Sequence, residues 1–527
     1  MEIDLLNLPK SPELLEKLIV SLHQSSQSLN QSLQKTQNEI ILLQAESAAY
    51  KEKYFRLLEE IRLAKQQRFS SSSEKNTLQP DMFDEPGVEL SDEVKVQIEE
   101  EIEVAGYVRK KHPVRSALPK ELPRERIVHD ISDAEKVCSC GTPLVCIGEE
   151  ITEQLKYIPA QLSVIQHVRP KYACKPCQEN IKIAPMPVLF LPKSIATPEL
   201  VAHTIIAKYC DHLPLYRQES IWRRLDIDLP RSSLCGWILK TAELCEPLVK
   251  LLRKEIIEYD YAQADETTVQ VLAEIGRSNT ANSYMWCYRG GGINHQSIVF
   301  DYQETRGGYH AQQFFEGFKG YLQTDAYSGY NWIDTTQDIV SVGCMAHARR
   351  SFAELSKLSK KTGLATEALK FFQKLYLIEK QAREKNLSPN TRHELRNQYA
   401  PKILDAFRQW LEHHLTKVPT QHKIGKAIQY TLRHWIELTN YLKDGRIEID
   451  NNQIENVIRP FALGRKNWLF SGSPNGAKAS ATIYSLIETC KANNIEPYKY
   501  FCTMLNKIRH CKSDEDYQKI LPQYIQL

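Results

Sequence analysis

Downstream of Glu258 the 527-residue chain changes from helical to strand-like patterning, and the order of the elements there leaves few folds open. Residues 259–272, 283–288 and 296–300 are rich in β-branched and aromatic side chains, and Gly290-Gly291-Gly292 separates the second run from the third. A helix over residues 311–318 leads to a fourth strand, 320–325. A fifth strand, 339–344, runs into His347-Ala348-Arg349-Arg350. From Phe352 to Leu442 the pattern is purely helical. Gly445 stops that stretch, and a new helix opens at Asp450-Asn451-Asn452-Gln453-Ile454-Glu455-Asn456-Val457-Ile458-Arg459-Pro460, with Asp450 as the expected N-cap.

Three consecutive strands, a helix and two further strands is the order of a ribonuclease-H-like core. The expected fold is therefore multidomain α+β. The core occupies residues 256–350 and resumes at 446–475 after a helical insertion, 351–445. Acidic residues fall where such a core places them. Asp265 lies on the first strand, Asp325 ends the fourth, and Glu455 shares one face of the last helix with Asn451, Asn452 and Arg459. Carboxylates converging from two strands and a helix suit phosphoryl transfer between nucleic-acid oxygens. Two Mg2+ ions about 4 Å apart need bridging and flanking carboxylate oxygens. Taken singly, each acid is an ordinary surface carboxylate; order and context carry the reading. The neighbours Glu266, Asp334 and Glu448 are expected to tolerate neutralisation.

Ahead of the core, residues 13–66 read as one long helix. Ile19, Ser26, Leu33, Ile40, Ser47, Tyr54 and Ile61 fall at heptad position a. Leu22, Leu29, Thr36, Leu43, Tyr50, Leu57 and Ala64 fall at d. Mostly apolar a and d sites over successive heptads predict a coiled coil across 1–69, used for homo-oligomerisation. A shorter helix packed on its own domain is the alternative. The linker, 70–125, is first acidic, with Lys95 alone among the acids of 81–103. It then turns basic at Arg109-Lys110-Lys111-His112-Pro113-Val114-Arg115. Arg109, Lys110 and Lys111 are suited to following a phosphate backbone, and equally to a solvated loop.

Cys138-Ser139-Cys140-Gly141 and Cys174-Lys175-Pro176-Cys177 are two close pairs flanking a strand-forming stretch, with Cys146 spare. Pairs on tight turns, with Gly141 and Pro176 as turn residues, bring four thiolates onto one structural Zn2+. The predicted ligands are Cys138, Cys140, Cys174 and Cys177 in a small module, 126–192; free thiols in a small core are the alternative. The thirteen cysteines are odd in number and otherwise scattered, which argues against a disulfide framework. Residues 193–255 read as helices. Residues 216–225 form one, 226–230 a turn, and Arg231-Ser232-Ser233-Leu234 opens the next with Ser232 or Ser233 as N-cap. This is the spacing of a DNA-binding helix-turn-helix, with Arg231 and Ser232 as contacts, and equally of a plain helical hairpin. Near the end, Gly464-Arg465-Lys466-Asn467-Trp468 and the Gly-rich 471–477 lead into a helical region, 476–527. The amides at that helix start suit a phosphate, and a tight loop packed on the core explains them as well.

With 68 Lys+Arg against 65 Asp+Glu, a histone-like polycation is excluded, and DNA binding would have to rest on local patches. The acidic start and the lack of a long apolar run point to a cytoplasmic protein with no membrane partner.

These motifs together resemble the transposases of the insertion sequence 66 family, a DDE-type group. The resemblance spans nearly the whole chain. It is carried by the heptad helix, the cysteine pairs, Pro192-Lys193-Ser194-Ile195-Ala196 and Asp211-His212-Leu213-Pro214-Leu215-Tyr216-Arg217-Gln218. It continues through Ala264-Asp265-Glu266-Thr267, Thr324-Asp325, Cys344-Met345-Ala346-His347-Ala348-Arg349-Arg350, the run from Asp450 to Pro460, and Gly464-Arg465-Lys466-Asn467-Trp468. It implies catalytic acids at Asp265, Asp325 and Glu455 holding two Mg2+ per active site. It also implies cleavage of transposon ends, strand transfer into target DNA, and small accessory proteins encoded nearby. Arg349, Arg350, Arg459, Arg465 and Lys466 complete the DNA-contact candidates. The chain departs from the family in spacing its first cysteine pair by one residue where two are common, and in placing Asn456 where a basic residue is usual. The Cys344/His347 pair resembles a motif that several DDE groups carry after the second aspartate; a packed cysteine and a capping histidine explain it as well. Two rival functions remain open. One is a non-catalytic DNA-binding repressor or assembly partner. The other is a ribonuclease-H or Holliday-junction nuclease, which would need neither coiled coil nor insertion.

Overall fold

The computed structural model describes residues 11–69, 162–172, 182–292, 295–358 and 363–527. Cys138, Cys140, Cys174 and Cys177, and the basic Arg109, Lys110 and Lys111, lie outside the described residues. The chain divides into two compact units, residues 1–88 with 190–527, and residues 89–189. In the smaller unit, β1 (Lys171–Tyr172) pairs antiparallel with β2 (Lys182–Ile183). Arg169 Nη1 donates to Ala184 O across the same hairpin, at 3.2 Å.

In the larger unit, α1 (Pro12–Phe69) is a single 58-residue helix. Its heptad residues Ile19, Leu22, Leu29, Leu33, Ile40 and Leu43 are exposed. Three helices precede the sheet: α2 (Pro198–Tyr209), α3 (Leu215–Arg223) and α4 (Arg231–Glu258). Neither Ser232 nor Ser233 caps α4. The N-cap is Pro230, extended at φ −66° and ψ 144°, with no side-chain cap. Glu219 of α3 takes over part of that role, its Oε1 accepting the Arg231 N–H at 3.4 Å. A partner from another helix thus displaces the local serine cap.

The strands are β3 (Tyr261–Gln270), β4 (Asn282–Gly290), β5 (Ser297–Gln303), β6 (Gly320–Gln323) and β7 (Ile339–Val342). They form one sheet in the order β5-β4-β3-β6-β7. The first three run antiparallel, and β6 and β7 join parallel to β3. A short helix, α5 (Tyr309–Phe314), and a turn into Gly320 supply the crossover to β6. Gly320 has φ 130°, and a Cβ there would lie 2.2 Å from Asp260 O, so only glycine fits this entry. The open edge of β5 is covered by α12 (Pro474–Ala492). Ser485 Oγ accepts the Phe300 N–H, Thr489 Oγ1 exchanges bonds with both backbone groups of Ile298, and Asn493 does the same for Gln296. Spaced one helical turn apart, these side chains satisfy a strand edge that would otherwise invite another chain.

Between β7 and the last core helix lie α6 (Met345–Leu358), α7 (Leu364–Glu384), α8 (Pro389–Leu415), α9 (Lys423–Arg433) and α10 (Trp435–Thr439). They have a core of their own that includes Phe352, Phe372, Leu404, Phe407 and Trp435. Fully buried Arg396 donates to both oxygens of Glu379, and Arg392 bridges Glu379 and Glu448. At its neck the insertion closes on itself. Gly343 N–H donates to Glu437 O at 2.8 Å and Met345 N–H to Ile449 O at 3.1 Å.

The helix after the insertion, α11 (Asn452–Trp468), has Asn451, not Asp450, at its N-cap position. Asp450 does accept the Asn452 N–H at Oδ1, but its Oδ2 is drawn back to the Tyr376 hydroxyl at 2.9 Å. The helix is fastened to β3 at both ends. Asn451 Nδ2 donates to Ala264 O at 3.2 Å, and past the far end Ser471 exchanges backbone bonds with Gln270 and Leu272. Ser473 caps α12 by accepting the Gly476 N–H, so the Gly-rich segment is a tight loop packed on the core. Two further helices, α13 (Pro497–Lys507) and α14 (Asp514–Gln518), end the chain. No helix among the described residues is long and apolar enough to cross a membrane.

Candidate active site

Asp265 stands midway along the central strand β3, opposite Cys287 of β4. Its Oδ1 accepts the N–H of its own neighbour Glu266 at 2.8 Å. Burial raises its carboxyl well above the usual carboxylate range, and the charges of Glu266, Asp325 and Glu455 raise it further. Acids far apart in the sequence therefore share one electrostatic neighbourhood. Asp325 lies two residues past the end of β6, not on the strand as expected, because pairing with β7 ends at Gln323 and Val342. Its Oδ1 accepts the Tyr327 N–H at 2.9 Å. The intervening Ala326 adopts a left-handed φ of 63°, which costs a residue with a Cβ about 1–2 kcal/mol. Strain of this kind concentrates at functional sites.

Glu455 projects from the first turn of α11. His347 Nδ1 faces its Oε1 at 3.8 Å, and Arg350 Nη2 faces its Oε2 at 3.6 Å. Both His347 Nδ1 and Glu455 Oε1 are buried without a hydrogen-bond partner, as is Asn451 Oδ1. Burial, and then the charge of Arg350, lowers the proton affinity of the His347 imidazole below its ordinary value. Donor atoms of Cys344, His347 and Glu455 all lie within 4.8 Å of one another. Asp325, Tyr327, His347, Arg350, Arg306 and Tyr430 line an open cleft of about 320 Å³, and the Tyr430 hydroxyl donates to Asp325 O.

Glu266, expected to tolerate neutralisation, is engaged on both carboxylate oxygens. Its Oε1 pairs with Arg306 at 2.6 Å and its Oε2 accepts the Tyr330 hydroxyl at 3.0 Å. Arg306 in turn lies 3.7 Å over the Tyr327 ring. Burial and the charge of Asp325 raise the Glu266 carboxyl, and Arg306 and Tyr330 oppose them. The doubled acid at Asp265-Glu266 is the available signal for Glu266; nothing in the sequence marks Arg306 as its partner. Glu448 likewise is engaged by Arg392. Of the three neighbours expected to be neutral, Asp334 alone is exposed and without an ion pair among the described residues.

The basic candidates divide. Arg350 faces Glu455, whereas Arg465 Nη1 donates to the hydroxyls of Thr267 and Thr268 on β3, at 3.2 and 2.9 Å. Arg349 and Arg459 are half-buried, and Arg231, Ser232 and Lys466 are exposed.

A family model described as the Transposase IS66 family matches residues 193–479. The chain belongs to the IS66 transposase family. The zinc-finger binding domain of transposase IS66 matches residues 135–178, a span that contains all four predicted cysteine ligands and supports a structural zinc. The IS66 C-terminal element matches residues 485–523, and a model described as Transposase C of IS166 homeodomain matches 56–127. Similar chains occur in Sinorhizobium fredii (strain NBRC 101917 / NGR234). Uncharacterized protein y4hP is 30% identical over 427 residues, covering 77% of this chain and 76% of the relative. Uncharacterized protein y4jD is 32% identical over 403 residues, covering 74% of this chain and 78% of the relative.

Proposed function

We propose that this IS66 family member is an active DDE transposase that binds transposon ends, cleaves DNA and transfers the cut strand to a target. The observation that carries the reading is electrostatic: Asp265 on β3 feels the charges of Asp325, at the β6 exit, and of Glu455, on α11. We read the sheet, with its antiparallel β5-β4-β3 half and parallel β6 and β7, as a ribonuclease-H-like core interrupted by the helical insertion. The residues fit divalent metal. Carboxylate oxygens suit a hard cation such as Mg2+, and a cation would relieve both the burial and the added repulsion that raise Asp265. Two bound Mg2+ would supply charge stabilisation for the attacking and leaving oxygens. The protein's own part is placement. Asp265 is fixed on a central strand, Asp325 is held by the Tyr327 amide, and Glu455 is flanked by His347 and Arg350. Arg306 and Arg350 bring positive charge to the cleft, where a phosphate would lie.

The same proposal assigns the structural Zn2+ to Cys138, Cys140, Cys174 and Cys177, and self-association to α1. DNA contacts outside the cleft are assigned to Arg109, Lys110, Lys111, Arg231, Ser232 and Lys466, in a cytoplasmic protein associated with DNA. Cleavage of a supercoiled plasmid carrying the transposon ends, in Mg2+, tests it. Asp265→Ala, Asp325→Ala and Glu455→Gln should each lower cleavage about a thousandfold or more, equivalent to about 4 kcal/mol on the barrier. End binding should be kept, because it rests on contacts elsewhere. Asp334→Asn is the control. A wild-type protein that binds ends but leaves them uncut in both Mg2+ and Mn2+ would establish the repressor reading instead.

A further inference from the structure

The Cys344/His347 pair is the sequence motif to which the proposed chemistry gives no reacting role, and the structure places it at a mechanical junction. Residues 345–449 form the insertion that separates Asp325 from Glu455, and the chain leaves and re-enters the core within this one neck. Cys344 Sγ accepts the Asn451 N–H, the group that begins the Glu455 helix, at 3.2 Å. One residue on, Met345 N–H holds Ile449 O. One turn further along α6, His347 and Arg350 point at separate oxygens of Glu455.

We propose that His347 is a positioning residue for Glu455, and that Cys344 is the staple that sets the start of its helix. The third acid is then aimed from the neck of the insertion. This rests on the reading of Glu455 as a reactive acid. At 3.8 and 3.6 Å the two contacts are longer than direct hydrogen bonds. With the proton on Nδ1, the imidazole N–H dipole and the Arg350 charge aim the carboxylate and leave its lone pairs open to a cation. His347 Nδ1 and Glu455 Oε1 are both buried and otherwise unpaired, so neither has a competing partner. Cys344 Sγ is committed to a backbone amide, which makes the trio a link between elements, not three free ligands.

Three substitutions in the full-length protein bound to transposon-end DNA test this. The amide nitrogen of Asn can occupy the place of Nδ1, that of Gln reaches toward Nε2, and Leu supplies neither. Binding of Mn2+, followed by the loss of its free-ion electron paramagnetic resonance signal, is read beside the cleavage rate. His347→Leu and His347→Gln should weaken Mn2+ binding and slow cleavage about 10- to 100-fold, the usual effect of removing a partner of a metal ligand. His347→Asn should restore most of both, and end binding should not change in any variant. Equal behaviour of all three, or wild-type Mn2+ affinity in His347→Leu, overturns the proposal. So does a Co2+ absorption band that disappears in Cys344→Ser, since the trio would then be a metal site itself. Glu455→Gln separates the two levels. If it cleaves like wild type, the reading of the third acid fails. If it is inactive while His347→Leu is normal, only the positioning role fails.

Discussion

Asp450 offers a quantitative test of how the neck is built. Its side chain is buried at the entrance to α11, with 9% exposure, between the Tyr376 hydroxyl and the Asn452 amide. Burial pushes its carboxyl up to about 6, against 3.8 for the ordinary group, and the two hydrogen bonds only partly oppose it. At 1.36 kcal/mol per tenfold change in proton affinity, that difference is worth about 3 kcal/mol. A carboxyl that binds its proton more tightly folded than unfolded favours the fold while protonated. That contribution is fully present below about pH 3.8 and is lost as pH rises through about 6. Ionised Asp450 therefore destabilises the protein at pH 8, and Asp450→Asn, which keeps a carbonyl acceptor, removes the charge. Thermal unfolding of the full chain without divalent ions should show the variant more stable by up to about 3 kcal/mol at pH 8, a rise of several degrees in Tm. The advantage should shrink steadily as pH falls through about 6 and be gone near pH 4. A variant less stable than wild type at pH 8, or a gap that does not close as pH falls, would refute the reasoning. The first result would mean that the hydrogen bonds need the charge, and the second that burial is not the cause.

The same logic predicts that Asp265→Asn raises Tm in ion-free buffer, because it removes a buried carboxylate that Glu266, Asp325 and Glu455 also repel. If the acids hold Mg2+ as proposed, Mg2+ should raise Tm in the wild type and not in the variant, and calorimetry with and without Mg2+ checks both signs. Arg392→Ala should cost about 3 kcal/mol or more in denaturant unfolding, since it leaves buried Glu379 and half-buried Glu448 short of a partner. Elemental analysis should find about one zinc per chain, lost in a Cys174→Ser, Cys177→Ser double variant with unfolding of that module. Deleting residues 1–66 should lower the particle mass in light scattering and leave the melting transition of the remaining chain in place.

The sheet is legible in the sequence because its strands carry dense β-branched and aromatic runs broken by glycines, and the observed strands begin and end close to the expected ones. Strand and helix order also singles out Asp265, Asp325 and Glu455, and the structure gives Asp265 the charges of the other two as neighbours. The features that stay hidden are decided by partners distant along the chain. Ser232 reads as a cap, but Glu219 of another helix meets the Arg231 amide. Asp450 reads as a cap, but Tyr376, in the insertion, draws its side chain back. Glu266 is expected to tolerate neutralisation, yet it too is held by a partner distant along the chain. Its partner Arg306 lies forty residues on, in a loop with no periodic signal. The left-handed turn at Ala326 carries no glycine to announce it, so the fourth strand ends sooner than its side chains suggest.

The double fastening of α11 to β3 has a consequence for how such a chain can change length. One residue inserted into that helix advances the rest of it by about 1.5 Å and rotates it by about 100°. With Asn451 tied to Ala264 and Ser471 to Gln270 and Leu272, the insertion must either tear one tie or swing Glu455 away from His347 and Arg350. The segment between α6 and α10 is under no such constraint. It starts and finishes at one neck, held by Gly343 and Met345 to Glu437 and Ile449, so loops within it can lengthen without moving an acid. Insertions and deletions among relatives should accumulate between residues 351 and 443 and be all but absent from 451–471. The helical insertion is thus where this architecture can gain new surface, while α11 works as a ruler of fixed length.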